Sequence, residues 1–104
     1  MERVCFTFEL YEGAEDEYKR RHDEIWPELV ADIKAAGFSN YSLFRRGSQI
    51  VAYAEVEPDL ATAMTKLASS EANARWAAWF EELIVNLTDA QGRLMSMQEV
   101  WHLD

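Results

Sequence analysis

The segment from Glu17 to Leu29, EYKRRHDEIWPEL, concentrates side chains that could carry out chemistry. His22 is one of only two histidines in the chain, and an imidazole with an ordinary pKa of about 6.5 both takes and gives a proton at neutral pH. Tyr18 lies four positions earlier, so in a helix the two side chains meet on one face. The spacing predicts acid and base chemistry at His22. A capped histidine at a helix end fits the same pattern, and the residues alone leave both readings open.

Aromatic residues further along the chain could form the wall of a binding site. Trp76 and Trp79 are three apart in the stretch RWAAW, on one face of a predicted helix. This spacing is more often typical of core packing, but an indole also stacks well on the apolar face of a sugar ring. Tyr41 lies on a predicted strand, where it faces either the helices or a subunit interface.

The sequence lacks the motifs of most cofactor and metal chemistry. It has no phosphate-binding glycine loop, dinucleotide fingerprint, paired-cysteine zinc spacing or calcium loop, and no serine in a nucleophile-elbow context. Cys5 is the only cysteine, so no intrachain disulfide is possible, and we expect it to be a small buried hydrophobe. We therefore expect no metal site, no cofactor and no serine hydrolase chemistry.

Composition narrows the class of protein and its partners. A chain of 104 residues with 49% hydrophobic residues predicts one domain spanning residues 1–104. Its formal net charge of −9 disfavours phosphate backbones and anionic lipid surfaces. The apolar runs are too short for a membrane span, and the residues after Met1 do not resemble a signal peptide. We expect a cytoplasmic protein with no nucleic acid or membrane partner.

Periodicity and turn residues predict the elements that must position these side chains. Strands are predicted at Val4 to Leu10, Asn40 to Phe44, Gln49 to Glu57 and Leu94 to Leu103. Helices are predicted from Glu17 to Asp23 or Glu24, from Pro27 to about Ala36, from Ala61 to Ala68, and from about Glu71 to Val85. Pro27 separates the first two helices and pushes Trp26 toward an extended conformation, so His22 should lie at a helix end beside a bend.

The order β, α, β, β, α, β is typical of a ferredoxin-like α+β fold, an antiparallel sheet with helices on one face. The third predicted strand is apolar on both faces, because Ile50 and its alternate neighbours are interleaved with Val51 and Tyr53. A homodimer that packs two such sheets face to face would cover the second face and give a dimeric α+β barrel. We expect this dimer to bury Cys5, Val51 or Tyr53, and parts of the last strand.

Four stretches together carry a family resemblance: EYKRRHDEIWPEL, Asn40-Tyr41, the helix start from Ser69 to Trp76, and Gln98-Glu99-Val100. With the overall length, they resemble the L-rhamnose mutarotases over essentially the whole chain. The resemblance implies a small, dimeric, cofactor-free α+β barrel enzyme. Its reaction would interconvert the α and β anomers of L-rhamnose or a related deoxyhexose pyranose.

The resemblance also implies roles for individual residues. The position of His22 is the proton donor in that family. The sugar-binding positions match Tyr18, Tyr41, Trp76 and Ala77. The family has a second tryptophan where this chain has Ala77, so part of the sugar-binding wall differs here, and Trp79 is the residue that could replace it.

Two other classes of function stay open on the sequence. Dimeric α+β barrels also include small monooxygenases that act on haem or quinols, and this chain has the His, Trp and Asn residues that such sites use. A dimer that binds a sugar without catalysis is the third class. A spectral shift with haemin would favour the monooxygenase, and sugar binding without faster anomer exchange would favour the binding protein.

Overall fold

The computed structural model describes all 104 residues, which form four strands and four helices. In chain order the elements are β1 (Glu2–Leu10), α1 (Glu15–Asp23), α2 (Pro27–Ala36), β2 (Phe38–Arg46), β3 (Gln49–Val56), α3 (Leu60–Ala68), α4 (Glu71–Phe80) and β4 (Ile84–Asn86). The strands form one antiparallel sheet in the order β2-β3-β1-β4. This order confirms the predicted ferredoxin-like α+β fold. None of the helices has the length and apolar character needed to cross a lipid bilayer.

One face of the sheet packs against the helices and holds the core. Along β1 the side chains of Phe6, Phe8 and Leu10 alternate into this face and are buried, as the sequence predicts. The core consists of two clusters, one containing these residues with Tyr18 of α1, and a second at the other end of the sheet around Val56. The first cluster places α1 and its histidine directly over the sheet.

The ends of α2 follow from two residues with restricted or special backbone geometry. Pro27 occupies the first turn of α2, where its missing N–H has no cost, and Trp26 before it is extended. Gly37 ends the helix with φ +118°, and a Cβ at this position would collide with the backbone oxygen of Glu57. Only glycine fits there. Both predicted boundaries of α2 are confirmed.

Helix α4 ends earlier than the sequence predicts. The predicted helix extends to about Val85, but α4 stops at Phe80, and Ile84–Asn86 pair with β1 as the fourth strand. The backbone N–H of Tyr11 donates to the backbone oxygen of Leu83 at 2.9 Å, which ties this turn to the end of β1. The stretch contains no glycine or proline, so the helix is ended by tertiary pairing of β-branched residues and not by a local stop signal.

The predicted last strand, Leu94 to Leu103, is largely wrong. Only its beginning pairs with β1, through a bridge between Phe6 and Ser96 and a 2.7 Å hydrogen bond from the Met97 N–H to the Cys5 oxygen. The remaining tail is unpaired and exposed, with 76% of Trp101 accessible. Cys5 is only partly buried, because its side chain lies on the sheet face that no helix covers. Within one chain no helix covers that face, and beyond Met97 the tail contacts it through an ion pair between Arg3 and Glu99 at 2.8 Å.

Candidate active site

A cavity of about 970 Å³ lies between the helices and the inner face of the sheet. Of the 28 residues that line it, 21 are hydrophobic, and this mixture of apolar walls with a few polar groups is typical of sites for small molecules. All five residues that the sequence analysis singled out as site residues line this one cavity: Tyr18, His22, Tyr41, Trp76 and Ala77. Two helices, α1 and α4, and one strand, β2, bring them together from distant parts of the sequence.

His22 lies in the last turn of α1, beside the bend before Pro27, as predicted. Its Nδ1 is 2.9 Å from the backbone oxygen of Tyr18. A carbonyl oxygen can only accept, so Nδ1 carries the hydrogen and donates it, and Nε2 keeps a lone pair for proton exchange. Burial lowers the pKa of His22, against the opposing effects of this hydrogen bond and of the charge of Asp23. The imidazole is therefore neutral at physiological pH.

Aromatic rings enclose the imidazole on several sides. The ring centroids of Tyr18, Phe80 and Trp76 lie 4.5, 5.0 and 5.3 Å from that of His22. The Trp76 and Phe80 rings meet the imidazole close to edge-on, at 86° and 70°. This packing fixes the orientation of the histidine and removes water from around it, which is the physical cause of its lowered pKa.

Two tyrosine hydroxyls can donate to a ligand in the cavity. Tyr18 is only 6% exposed, and its hydroxyl has no hydrogen-bond partner in the protein. Every fully buried polar side-chain atom does have a partner, so this hydroxyl must be accessible, and it opens onto the cavity that Tyr18 lines. Burial and the neighbouring Tyr41 raise the pKa of Tyr18, and burial also raises the pKa of Tyr41. Tyr41 nevertheless remains 43% accessible, because it lies on the wall of an open cavity. Both phenols stay protonated at neutral pH and act as hydrogen-bond donors.

Trp79 does not line the cavity beside Ala77. Its ring stacks on Trp26 with centroids 5.8 Å apart, and the guanidinium carbon of Arg21 lies 4.2 Å from its centroid. Together with its contact to the Trp76 ring at 5.8 Å, these contacts keep the indole behind Trp76 and outside the cavity lining. The wall of the cavity next to Trp76 is therefore formed by the methyl group of Ala77 and not by a second indole.

Arg21 is the only buried charged residue, and it connects α1 to the end of α4. Its Nη1 donates to the backbone oxygen of Trp79 at 2.7 Å, its Nε donates to Glu17 at 2.7 Å, and its Nη2 donates to Glu82. Because α4 carries Trp76 and Phe80, this arginine holds the aromatic wall in position against His22.

We expect Arg21→Met to lower the free energy of unfolding by about 1 to 3 kcal/mol, because the buried oxygen of Trp79 loses its donor. Urea unfolding followed by circular dichroism measures this. The matched control is Arg20→Met, whose exposed ion pairs with Glu17 and Glu24 should contribute about 0 to 1 kcal/mol. Equal losses in the two variants would contradict the anchoring role of Arg21.

Several residues that border the site were not predicted from the sequence. Phe80 contacts both His22 and Trp76, and its position four residues after Trp76 on the same helix face was the available signal. Asn73 and Asn86 bring amide groups to the cavity wall. Asn86 gave no signal because its strand, β4, was predicted to be the end of a helix and the start of a loop.

A family model described as L-rhamnose mutarotase matches residues 3–103. The chain belongs to the L-rhamnose mutarotase family. An L-rhamnose mutarotase from Oceanobacillus iheyensis is 33% identical, with both chains covered in full. The crystal structure of L-rhamnose mutarotase FA22100 from Formosa agariphila superimposes with a TM-score of 0.79 at 28% identity and covers all of both chains.

A more distant structural neighbour shows the fold alone. Tetracenomycin F2 cyclase from Streptomyces glaucescens, a type-II polyketide cyclase, has a TM-score of 0.59 at 16% identity, covering 100% of this chain and 98% of the other. The fold is thus shared with a protein of different chemistry, so the side chains of the cavity and the membership of the mutarotase family carry the functional argument.

Proposed function

We propose that this protein is an isomerase that interconverts the α and β anomers of L-rhamnose, without a cofactor. The observation that carries the proposal is His22, a neutral imidazole with Nε2 free, on the wall of a cavity that can hold a sugar ring. One ionisable group near neutrality, working with a hydroxyl or water, suffices for this reaction. The membership of the L-rhamnose mutarotase family supports the choice of reaction and of sugar.

The reaction requires two proton transfers and no redox change. As C1–O5 breaks, the proton of the anomeric hydroxyl leaves O1, a proton arrives at the ring oxygen O5, and the sugar opens to its aldehyde. Rotation about C1–C2 presents the other face of the carbonyl to O5, and ring closure reverses both transfers. Nε2 of His22 takes the proton from O1 and, once protonated, returns a proton to O5 through a water molecule, while the Tyr18 hydroxyl stays protonated and supplies a hydrogen bond beside it.

The remaining site residues bind the sugar. Tyr18 and Tyr41 donate hydrogen bonds to its oxygens, and Trp76 presents an indole to the apolar face of the ring. Ala77, which lines the same cavity, leaves this part of the wall open to a substituent on the sugar. The 6-methyl group of a deoxyhexose suits a cavity whose lining is mostly hydrophobic.

The direct test is anomer exchange followed by NMR saturation transfer on a panel of sugars. We expect the protein to accelerate exchange between the α and β signals of L-rhamnose more than those of hexoses that carry a 6-hydroxyl. Sugar binding without faster exchange would make the protein a binding protein instead. A haemin-induced spectral shift together with no effect on any sugar would favour the monooxygenase.

The proposal also covers the location, the oligomeric state and the partners of the protein. The chain acts as one domain in the cytoplasm, as a homodimer, and does not bind nucleic acid. The formal net charge of −9 supports the last point, because it repels a phosphate backbone. The uncovered sheet face supports the dimer, because Phe44 on that face is 61% exposed and Val51 lies opposite it on β3.

We expect sedimentation velocity at micromolar concentration to show a dimer. Val51→Asp should shift the protein toward the monomer, because a buried carboxylate without a partner is costly at an interface between two sheet faces. Ala61→Glu, on an exposed position of α3, is the control and should leave the dimer intact. A wild-type monomer under these conditions would contradict the proposed dimeric α+β barrel.

A further inference from the structure

Strand β2 contains one residue more than its partner in the middle of their pairing. Ser39 lies opposite Glu55, and Ser42 lies opposite Tyr53. Three steps along β2 therefore match two steps along β3, which defines a β-bulge. The two residues within the bulge are Asn40 and Tyr41. Bulges of this kind re-aim side chains and occur often beside active sites.

Asn40 has the special backbone conformation that the bulge needs. Its φ is +45°, and it is the only residue other than glycine with a positive φ. Most side chains are strained in this left-handed region, whereas asparagine enters it at less cost than other non-glycine residues. The bulge therefore places its left-handed backbone conformation at an asparagine, which tolerates that conformation.

The bulge determines which way Tyr41 faces. In a regular strand, residues three apart point to opposite faces, so Phe38 and Tyr41 would lie on opposite sides of the sheet. Here Phe38 is buried on the inner face, and the Tyr41 ring centroid lies 5.8 Å from that of Phe38. Both residues line the cavity. If β2 were a regular strand from Phe38 onward, the Tyr41 side chain would point to the uncovered face of the sheet.

The side chain of Asn40 is held on that uncovered face. Its Nδ2 donates to Oε1 of Glu55 at 2.8 Å, and the Tyr53 hydroxyl donates to Oε2 of the same carboxylate at 2.9 Å. These two donors lower the pKa of Glu55, so the carboxylate stays ionised and accepts both hydrogen bonds. One network therefore connects the outer face of the sheet to the backbone that carries Tyr41.

We propose that Asn40 is a positioning residue for Tyr41, whose left-handed backbone and hydrogen bond to Glu55 keep the Tyr41 phenol in the sugar cavity. This inference rests on the proposed role of Tyr41 in binding the sugar. It assigns to Asn40, which also borders the cavity, an effect on substrate affinity that acts through the placement of Tyr41.

The first test measures the geometry without a substrate. NMR should show a nuclear Overhauser effect between the ring protons of Tyr41 and Phe38 in the wild-type protein and in Asn40→Gly, because glycine enters the left-handed region freely. In Asn40→Val the effect should disappear, because a β-branched residue disfavours that region. Asn40→Ala replaces Asn40→Val if the latter does not fold. An unchanged effect in the folded valine or alanine variant would overturn the proposal.

The second test is a double-mutant cycle on catalysis. Asn40→Val should raise KM for the sugar about tenfold with little change in kcat, because a lost binding contact weakens ground state and transition state alike. Tyr41→Phe should raise KM in the wild-type background but add almost nothing in the Asn40→Val background. Ser42→Val, an exposed neighbour on β2, is the matched control and should leave KM unchanged.

The outcomes of the cycle separate positioning from general stabilisation. Additive effects of the two substitutions, or a KM in Asn40→Gly raised as much as in Asn40→Val, would overturn the positioning role, because a loss of fold stability alone predicts additivity. If the wild-type protein accelerates anomer exchange of no sugar, the proposed function fails. The ring-to-ring measurement then still decides whether Asn40 positions Tyr41.

Discussion

Replacing His22 with alanine should reduce catalysed anomer exchange by about 10²- to 10⁴-fold, the usual effect of losing a positioned acid or base. The reason is geometric. Nδ1 of His22 is committed to the backbone oxygen of Tyr18, so Nε2 is the nitrogen that can exchange a proton in the cavity. Saturation-transfer NMR on L-rhamnose measures the rate, which should fall to near its spontaneous value while circular dichroism shows an unchanged fold.

His102 provides the matched control for this prediction. It lies in the exposed tail, with Nε2 2.9 Å from a carboxylate oxygen of Asp104, and does not line the cavity. His102→Ala should leave the exchange rate close to that of the wild type. A folded His22→Ala protein with a near wild-type rate would move the proton transfer to Tyr18 or to bound water and make the assignment of His22 wrong.

The pH dependence of the rate follows from the lowered pKa of His22. The imidazole must alternate between its two protonation states, and protonation at acid pH fixes it in one of them. Because burial lowers the pKa, the rate should persist at pH values below the ordinary 6.5 and fall only as the pH drops through the lowered value. A rate that already declines well above pH 6.5 would contradict a buried, neutral histidine.

Stability should decline over the same pH range, and the direction can be derived. The folded protein binds fewer protons at His22 than the unfolded chain does between the lowered pKa and 6.5. The contribution of His22 to the free energy of unfolding is therefore fully present above pH 6.5. It is lost as the pH falls from 6.5 through the lowered pKa of the folded protein. Thermal unfolding at each pH separates this loss from the loss of catalysis.

The sequence predicts well those features that depend on local backbone rules. Pro27 and Gly37 determine the ends of α2 because each restricts or extends the backbone at its own position. The i, i+4 spacing of Tyr18 and His22 predicts their contact, which the 4.5 Å separation of the rings confirms. Local rules of this kind hold wherever no distant partner competes with them.

Features that depend on contacts between residues distant in the chain could not be predicted from the sequence. Ile84 and Val85 continue a helical pattern in sequence, and only pairing with β1 makes them part of a strand. Trp79 has the spacing of a wall residue relative to Trp76, and the two rings lie 5.8 Å apart, but its indole packs against Trp26 and Arg21 and does not line the cavity. Likewise, alternation along β2 gave no sign of the bulge at Asn40, which is visible only when β2 is paired with β3.

The two tryptophans of α4 should separate sugar affinity from fold stability. Trp76 lines the cavity 5.3 Å from the His22 ring, so Trp76→Ala should weaken sugar binding by about 1 to 3 kcal/mol for a lost aromatic stack. Trp79 lies outside the cavity between Trp26 and Arg21, so Trp79→Ala should leave sugar affinity unchanged. It should instead lower the free energy of unfolding by about 1 to 2 kcal/mol.

Isothermal titration with L-rhamnose and urea unfolding, applied to both variants, measure the two quantities independently. Trp76 also contacts Phe80 at 4.5 Å between ring centroids, so Trp76→Ala will lose some stability, and Trp76→Leu keeps more of the buried apolar surface as a second variant. Weakened binding in both folded Trp76 variants, with normal binding by Trp79→Ala, supports the wall formed by Trp76 and Ala77. If Trp79→Ala weakens sugar binding as strongly as Trp76→Ala does, then Trp79 reaches the sugar and takes the place beside Trp76 that Ala77 leaves open.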